Sequence, residues 1–142
     1  MSYVTRIATE EDITSVTELY NSDTNLFGVD TTCYGPDDIR EYIRDNRKKM
    51  TLCVIDGKIT GAILGEYHDT YAYLETIIVH RDYQGKGIGS VLIEEFEKEV
   101  KSRNITLIEA MTEIRNDRMQ TMFAKEGYKQ GNTFRFYYKN LE

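Results

Sequence analysis

A chain of 142 residues has the size of one compact domain and leaves no room for a second core of ordinary volume. Its hydrophobic residues (40%), charged residues (30%), single proline and ten glycines exclude a disordered or collagen-like class. Eighteen Lys and Arg against 24 Asp and Glu leave a net charge of −6, which argues against the broad phosphate-neutralising surface that DNA or RNA binding requires. Two cysteines, Cys33 and Cys53, cannot build a disulfide framework and lack zinc spacing, so both are expected to be reduced thiols and no metal is expected. The N-terminus has no apolar signal core and no apolar run is long enough to cross a bilayer, so a soluble, cytoplasmic protein with no membrane partner is expected.

Changes of hydrophobic period mark the elements. Tyr3 to Ala8 alternates as a strand. Thr9-Glu10-Glu11-Asp12 has the form of a capping box, opening a helix with Ile13, Val16, Leu19 and Tyr20 on one face. After a polar loop from Asp23 to Gly35, Pro36 stands at a first helical position, and Ile39 and Ile43 carry the stripe of a second helix. The run Arg47-Lys48-Lys49 complements the C-terminal end of that helix. Thr51 to Ile55 and Lys58 to Tyr67, joined by Asp56-Gly57, read as an antiparallel hairpin, and Tyr71 to Val79 as the next strand. The spacing of Ile88, Val91, Leu92, Phe96 and Val100 predicts a long helix, with Glu94–Lys98 and Glu97–Lys101 as outward ion pairs. Ile105 to Met111 reads as a strand, Asp117 to Glu126 as a helix closed by Gly127, and Phe134 to Lys139 as a final strand rich in aromatic residues. With a second strand expected after the last helix, the order β-α-α-β-β-β-α-β-α-β-β describes an α/β protein with a mixed sheet.

Between the Tyr71–Val79 strand and the long helix lies a glycine-rich turn, Gln84-Gly85-Lys86-Gly87-Ile88-Gly89-Ser90. Glycines let backbone N–H groups converge without Cβ interference, and a helix start adds partial positive charge, so a phosphate or pyrophosphate is the natural ligand. A Walker A loop fails, because Gly85-Lys86 is followed by Gly87 and position 80 is His80. A dinucleotide fingerprint fails too, because its third glycine would fall on Ser90 and the preceding strands form a hairpin.

What remains, Gln84-x-x-Gly87-x-Gly89, matches the Q/R-x-x-G-x-G/A acyl-CoA loop of the GNAT superfamily of N-acetyltransferases. The element order resembles that fold over essentially the whole length, so residues 1–142 are expected to form a single GNAT domain. Tyr73-Leu74-Glu75-Thr76-Ile77-Ile78-Val79 is similar to the strand before the loop in the diamine and polyamine acetyltransferase branch. The resemblance implies acetyl-CoA as co-substrate, bound along Ile77, Ile78 and Val79 and on Gln84, Gly85, Lys86, Gly87, Ile88, Gly89 and Ser90. It also assigns Asn116 to the CoA arm, although that residue suits an N-cap of the next helix equally well. A homodimer is a further implication of the family.

Acetyl transfer needs a neutral amine, whereas an alkyl ammonium has a pKa near ~10.4 and is charged at neutral pH. A positioned base removes that proton. Regular strand alternation puts Tyr71, Tyr73, Glu75, Ile77 and Val79 on one face, so Glu75 is expected beside the pantetheine-facing residues. Its position also matches the catalytic glutamate of the polyamine-branch pattern. The family's thiolate-protonating tyrosine, four residues before the closing glycine, is Phe123 here, a departure that leaves water to supply the proton. Glu66, Asp69, Glu75, Glu109 and Glu113, with the rings of Tyr71 and Tyr73, suit a cationic acceptor. The expected reaction is acetyl transfer from acetyl-CoA to a primary amine of a small, polyamine-like substrate. The alternatives are a protein or peptide N-acetyltransferase, and a CoA-binding regulatory module of weak catalysis, for which Phe123 is the motivating residue.

Overall fold

The computed structural model describes residues 2–22 and 34–142. Most of the loop expected from Asp23 to Gly35, and Cys33 with it, lies outside the described residues. The chain divides into two compact units, Met1–Met111 and Thr112–Glu142.

The first unit is built on a five-stranded sheet of order β1-β2-β3-β4-β5. Strands β1 (Val4–Ile7), β2 (Lys48–Ile55), β3 (Lys58–Tyr67) and β4 (Ala72–Val79) pair antiparallel, and β5 (Ile108–Ala110) joins β4 in parallel. Asp56 and Gly57 both take positive φ, +51° and +76°, the backbone that a two-residue hairpin of this twist requires. Strand β2 starts three residues earlier than its hydrophobic alternation suggests, because Lys48 and Lys49 pair with Glu66 and Gly65 of β3. The basic run therefore does not cap a helix: Lys49 reaches Glu99 at 2.8 Å, and Lys48 enters the site described below.

Helix α1 (Ile13–Asn21) follows a short 3-10 turn, Glu10–Asp12. Asp12 accepts the Thr9 backbone N–H at 2.8 Å and takes two guanidinium nitrogens of Arg6 at 2.8 Å each, and that hydrogen-bonded arginine holds its carboxyl below the usual carboxylate range. Helix α2 (Pro36–Arg44) begins with Pro36 at its first turn, where a missing N–H costs nothing. Ile13, Val16, Leu19, Tyr20 and Ile39 pack on Met50, Leu52, Ala62, Leu64 and Ile78 to make the core on one face of the sheet. Helix α3 (Ile88–Ser102) covers the other face, with Ile88, Leu92, Ile93, Phe96 and Val100 buried. Two glycines of β3 admit it closely: a Cβ on Gly61 would meet Ile88 and Leu92 at 3.0 Å, and one on Gly65 would collide with the Phe96 ring. On the outer surface of α3, Lys98 pairs with Glu95 at 3.3 Å rather than with Glu94.

In the second unit, α4 (Asp117–Lys125) closes on Gly127 at φ +87°. The Tyr128 N–H donates to the Phe123 carbonyl at 2.9 Å and the Gly127 N–H to the Ala124 carbonyl at 3.1 Å, the paired bonds of a Schellman cap. The expected strand from Phe134 to Lys139 is not formed. Its alternation supplies two faces, but a strand also needs a ladder partner, and Phe134, Phe136, Tyr137 and Tyr138 are all exposed. Strand β5 is likewise shorter than the expected Ile105–Met111. Among the described residues no helix is long and apolar enough to cross a membrane.

Candidate active site

The feature that organises the site is a β-bulge in β4. Leu64 pairs with Thr76 and the next β3 residue, Gly65, pairs with Leu74, so Glu75 is an extra residue on β4. Regular alternation breaks there. Glu75 turns to the α2 side of the sheet, where it meets Lys48, and Thr76 on the same side joins its hydroxyl to that of Tyr20 in α1 at 2.6 Å. Ile77 and Val79 stand opposite Ile63 and Gly61 on the α3 side. The expectation of one shared face for Tyr73, Glu75, Ile77 and Val79 is therefore corrected: the bulge separates the carboxylate from the two apolar residues.

Strand β5 pairs with β4 only from Ala72 to Leu74. Beyond that, the β4 edge from Glu75 to Val79 has no strand partner on the β5 side among the described residues, and the backbone groups that alternate with those paired to β3 face that side. This edge runs into the glycine turn. Gln84 staples the two together by donating its side-chain amide to the Val79 carbonyl at 3.1 Å. Gly85 and Gly87 take φ of +77° and +84°, a left-handed backbone that aims the following amides at the mouth of α3. The Val91 N–H is the first to bond back to Gly87, at 3.1 Å, so Ile88, Gly89 and Ser90 carry the unpaired donors of a helix start. Gly85, Lys86 and Gly87 are exposed, and the ammonium groups of Lys58 and Lys86 lie 5.4 and 5.3 Å from the Tyr83 ring. Positive charge and N–H donors thus meet where a pyrophosphate would be held.

At the bulge, the Lys48 ammonium sits 2.8 Å from Glu75 Oε2 and 3.0 Å from Oε1, 3.6 Å from Glu66 Oε2 and 5.0 Å from the centre of the Tyr42 ring. His68 Nε2 lies 2.7 Å from the remaining Glu66 oxygen and its ring stacks on Tyr71 at 4.5 Å. Burial opposes charge on Lys48, but the hydrogen bond to Glu75 and the charges of Glu75 and Glu66 outweigh it and hold the ammonium above its usual value. Burial pushes the Tyr42 and Tyr73 phenols up, with the Glu75 charge adding to the effect. Neither Lys48 nor Tyr42 carries a local sequence signal, since their partners are set by strand pairing. For the bulge a signal did exist: a glycine inside a strand pattern, Gly65.

In the second unit Asn116 accepts the Met119 N–H through its side-chain oxygen at 3.0 Å, so it is the N-cap of α4. The Phe123 ring packs on Tyr128 with centroids 5.2 Å apart. Among the described residues no cluster of three or more His, Cys, Asp or Glu side chains is arranged to hold a metal. Cys53 is buried in β2, and burial pushes its thiol up.

A mixed sheet whose strand β4 parts from its parallel neighbour β5, and whose freed edge leads to a glycine turn at a helix start, offers room for an extended ligand that ends in a phosphate group. The family comparison agrees: residues 13–128 match the model of the Acetyltransferase (GNAT) family, and the chain belongs to it. This is a family of acyl-CoA-dependent N-acetyltransferases. An acetyltransferase of Sodalis glossinidius is 28% identical over 92 residues, which span 65% of each chain. The match thus covers just under two thirds of that relative. The fold is shared with an aminoglycoside N-acetyltransferase, AAC(6')-Iy, solved with a bisubstrate analogue of CoA, at TM-score 0.80 and 15% identity over 99% of both chains. It is shared equally with a ribosomal-protein-alanine N-acetyltransferase of Brucella melitensis, at TM-score 0.79 and 13% identity over 99% of this chain and 100% of that one.

Proposed function

We propose that this protein transfers the acetyl group of acetyl-CoA to the primary amine of a small molecule, with Glu75 as the base. The observation that carries the reading is the open β4 edge from Glu75 to Val79, continuous with the glycine turn. The backbone groups of Ile77 and the Val79 N–H, which alternate with the β3-paired groups of Ile78, suit the amides of a pantetheine arm, and the turn from Gln84 to Ser90 suits its pyrophosphate. Acetyl-CoA, once bound, supplies an activated thioester. A backbone N–H near Ile77 polarises the thioester carbonyl, and Glu75 takes a proton from the attacking amine directly or through one water. Residue 123 offers no proton to the departing sulfur; a thiol of pKa near ~8.5 leaves as thiolate and collects its proton from water. The Asn116 contact to CoA rests on the family resemblance, because its side-chain oxygen is taken by the α4 cap.

Release of free thiol from acetyl-CoA, followed across a panel of amines and peptides, tests the reaction and separates small-molecule from peptide acceptors. Glu75→Gln is expected to lower kcat by about 10²-fold or more while acetyl-CoA affinity holds. Full turnover in that variant removes Glu75 from the chemistry. A CoA-binding module of weak catalysis is the second reading, favoured by Phe123; CoA binding without thiol release on any acceptor selects it.

A further inference from the structure

We propose that Lys48 determines acceptor specificity: its ammonium fills the cation position beside Glu75, so the site takes an amine with no second positive charge nearby. The inference rests on Glu75 as the base of the acceptor site. Two carboxylates and an aromatic face are the groups that receive an alkyl ammonium. Here they already hold one, from the chain itself, in contact with both oxygens of Glu75 and within 3.6 Å of Glu66 and 5.0 Å of the Tyr42 ring centre. The Lys48 side chain is only 13% exposed, and its stem is pinned by the pairing of its backbone with Glu66 across β2 and β3.

The charge balance follows. Glu66 and Glu75 contribute −2 and Lys48 +1, which leaves −1 for the acceptor to meet. One ammonium neutralises that remainder; a second one, held close by a short linker, faces Lys48 across a part-buried site where like charges repel strongly. The carboxylates that read as attractors of a polyamine are therefore in part spent on the chain's own lysine.

Hexylamine and 1,6-diaminohexane share one carbon chain and differ by a second ammonium, so the ratio of their dissociation constants isolates that charge. Calorimetry with CoA at saturation reads the ratio for the unaltered protein, Lys48→Met and the charge-preserving Lys48→Arg. The unaltered protein is expected to favour hexylamine, Lys48→Met to move the ratio towards the diamine by about tenfold or more, and Lys48→Arg to stay close to the starting ratio. An unmoved ratio in Lys48→Met, a preference of the unaltered protein for the diamine, or binding of neither amine to either protein overturns the proposal. Should circular dichroism show Lys48→Met unfolded, Lys48→Gln is read in its place. An equilibrium ratio involves no proton abstraction, so it judges Lys48 separately from the turnover of Glu75→Gln, which judges the base.

Discussion

The Tyr20–Thr76 hydrogen bond clamps the bulge to α1, and its worth can be measured. The two hydroxyls lie 2.6 Å apart, with Tyr20 1% and Thr76 5% exposed, so neither finds water when its partner is removed. Tyr20→Phe leaves the Thr76 hydroxyl buried and unsatisfied, and Thr76→Val does the same to the Tyr20 phenol. Each is expected to cost about 1–2 kcal/mol, the penalty of a lost neutral hydrogen bond with one orphaned partner. For a chain of this length that is a fall in Tm of roughly 3–6 °C. The double variant orphans nothing, since both partners become apolar with little change of shape. Its cost should fall short of the sum of the single costs by about 1 kcal/mol. Urea melts of the four proteins at neutral pH supply the cycle. Strict additivity, or a Tyr20→Phe variant as stable as the parent, would refute the claim that this bond holds the bulge.

Two further outcomes follow from the sheet and its core. Gly65→Ala should destabilise by about 1–3 kcal/mol, because the new methyl meets the Phe96 ring, and should cost more than Gly61→Ala, whose 3.0 Å neighbours are the side-chain ends of Ile88 and Leu92; equal melting temperatures for the two variants would contradict this. Burial pushes the phenols of Tyr20, Tyr34 and Tyr67 up, Tyr67 to about 12. Because the folded chain resists ionisation that the unfolded chain allows near ~10, their contribution to stability is whole below that pH and is lost progressively from there as pH rises through the raised folded values. Denaturant stability that stays level from about pH 9 to about 11 would deny the effect.

Where structure is local, the sequence was legible. The Asp56-Gly57 hairpin, the apolar stripe of α3, the glycine turn before it and the Gly127 cap of α4 are each fixed by residues within a few positions of one another. Every one is found in the structure. The features that escaped depend on distant pairing. Lys48 meets Glu75 across 27 positions of chain because β3 lies between their strands, and no spacing rule relates them. The aromatic alternation of Phe134 to Lys139 describes what a strand would look like without supplying the neighbour that makes one. The bulge lies between these cases: Gly65 marks it, but which β4 residue becomes the extra one is decided by the β3 register.

That one extra residue explains how a single strand serves two chemistries. With strict alternation, Glu75 would share a face with Ile77 and Val79, and a carboxylate would lie among the apolar contacts of α3. The bulge instead rotates Glu75 to the α2 side, where Lys48 compensates the cost of removing it from water. Its departure from the ladder comes at the residue where β5 stops pairing with β4, so the carboxylate stands at the head of the open edge. Gly65 makes this packing feasible, because only a residue without a Cβ lets Phe96 press against β3 opposite the bulge. The place of the Glu75 carboxylate and of its lysine counter-charge thus follows from one register shift, and a substitution at Gly65, which sits at that shift, is expected to reach Glu75 without touching it.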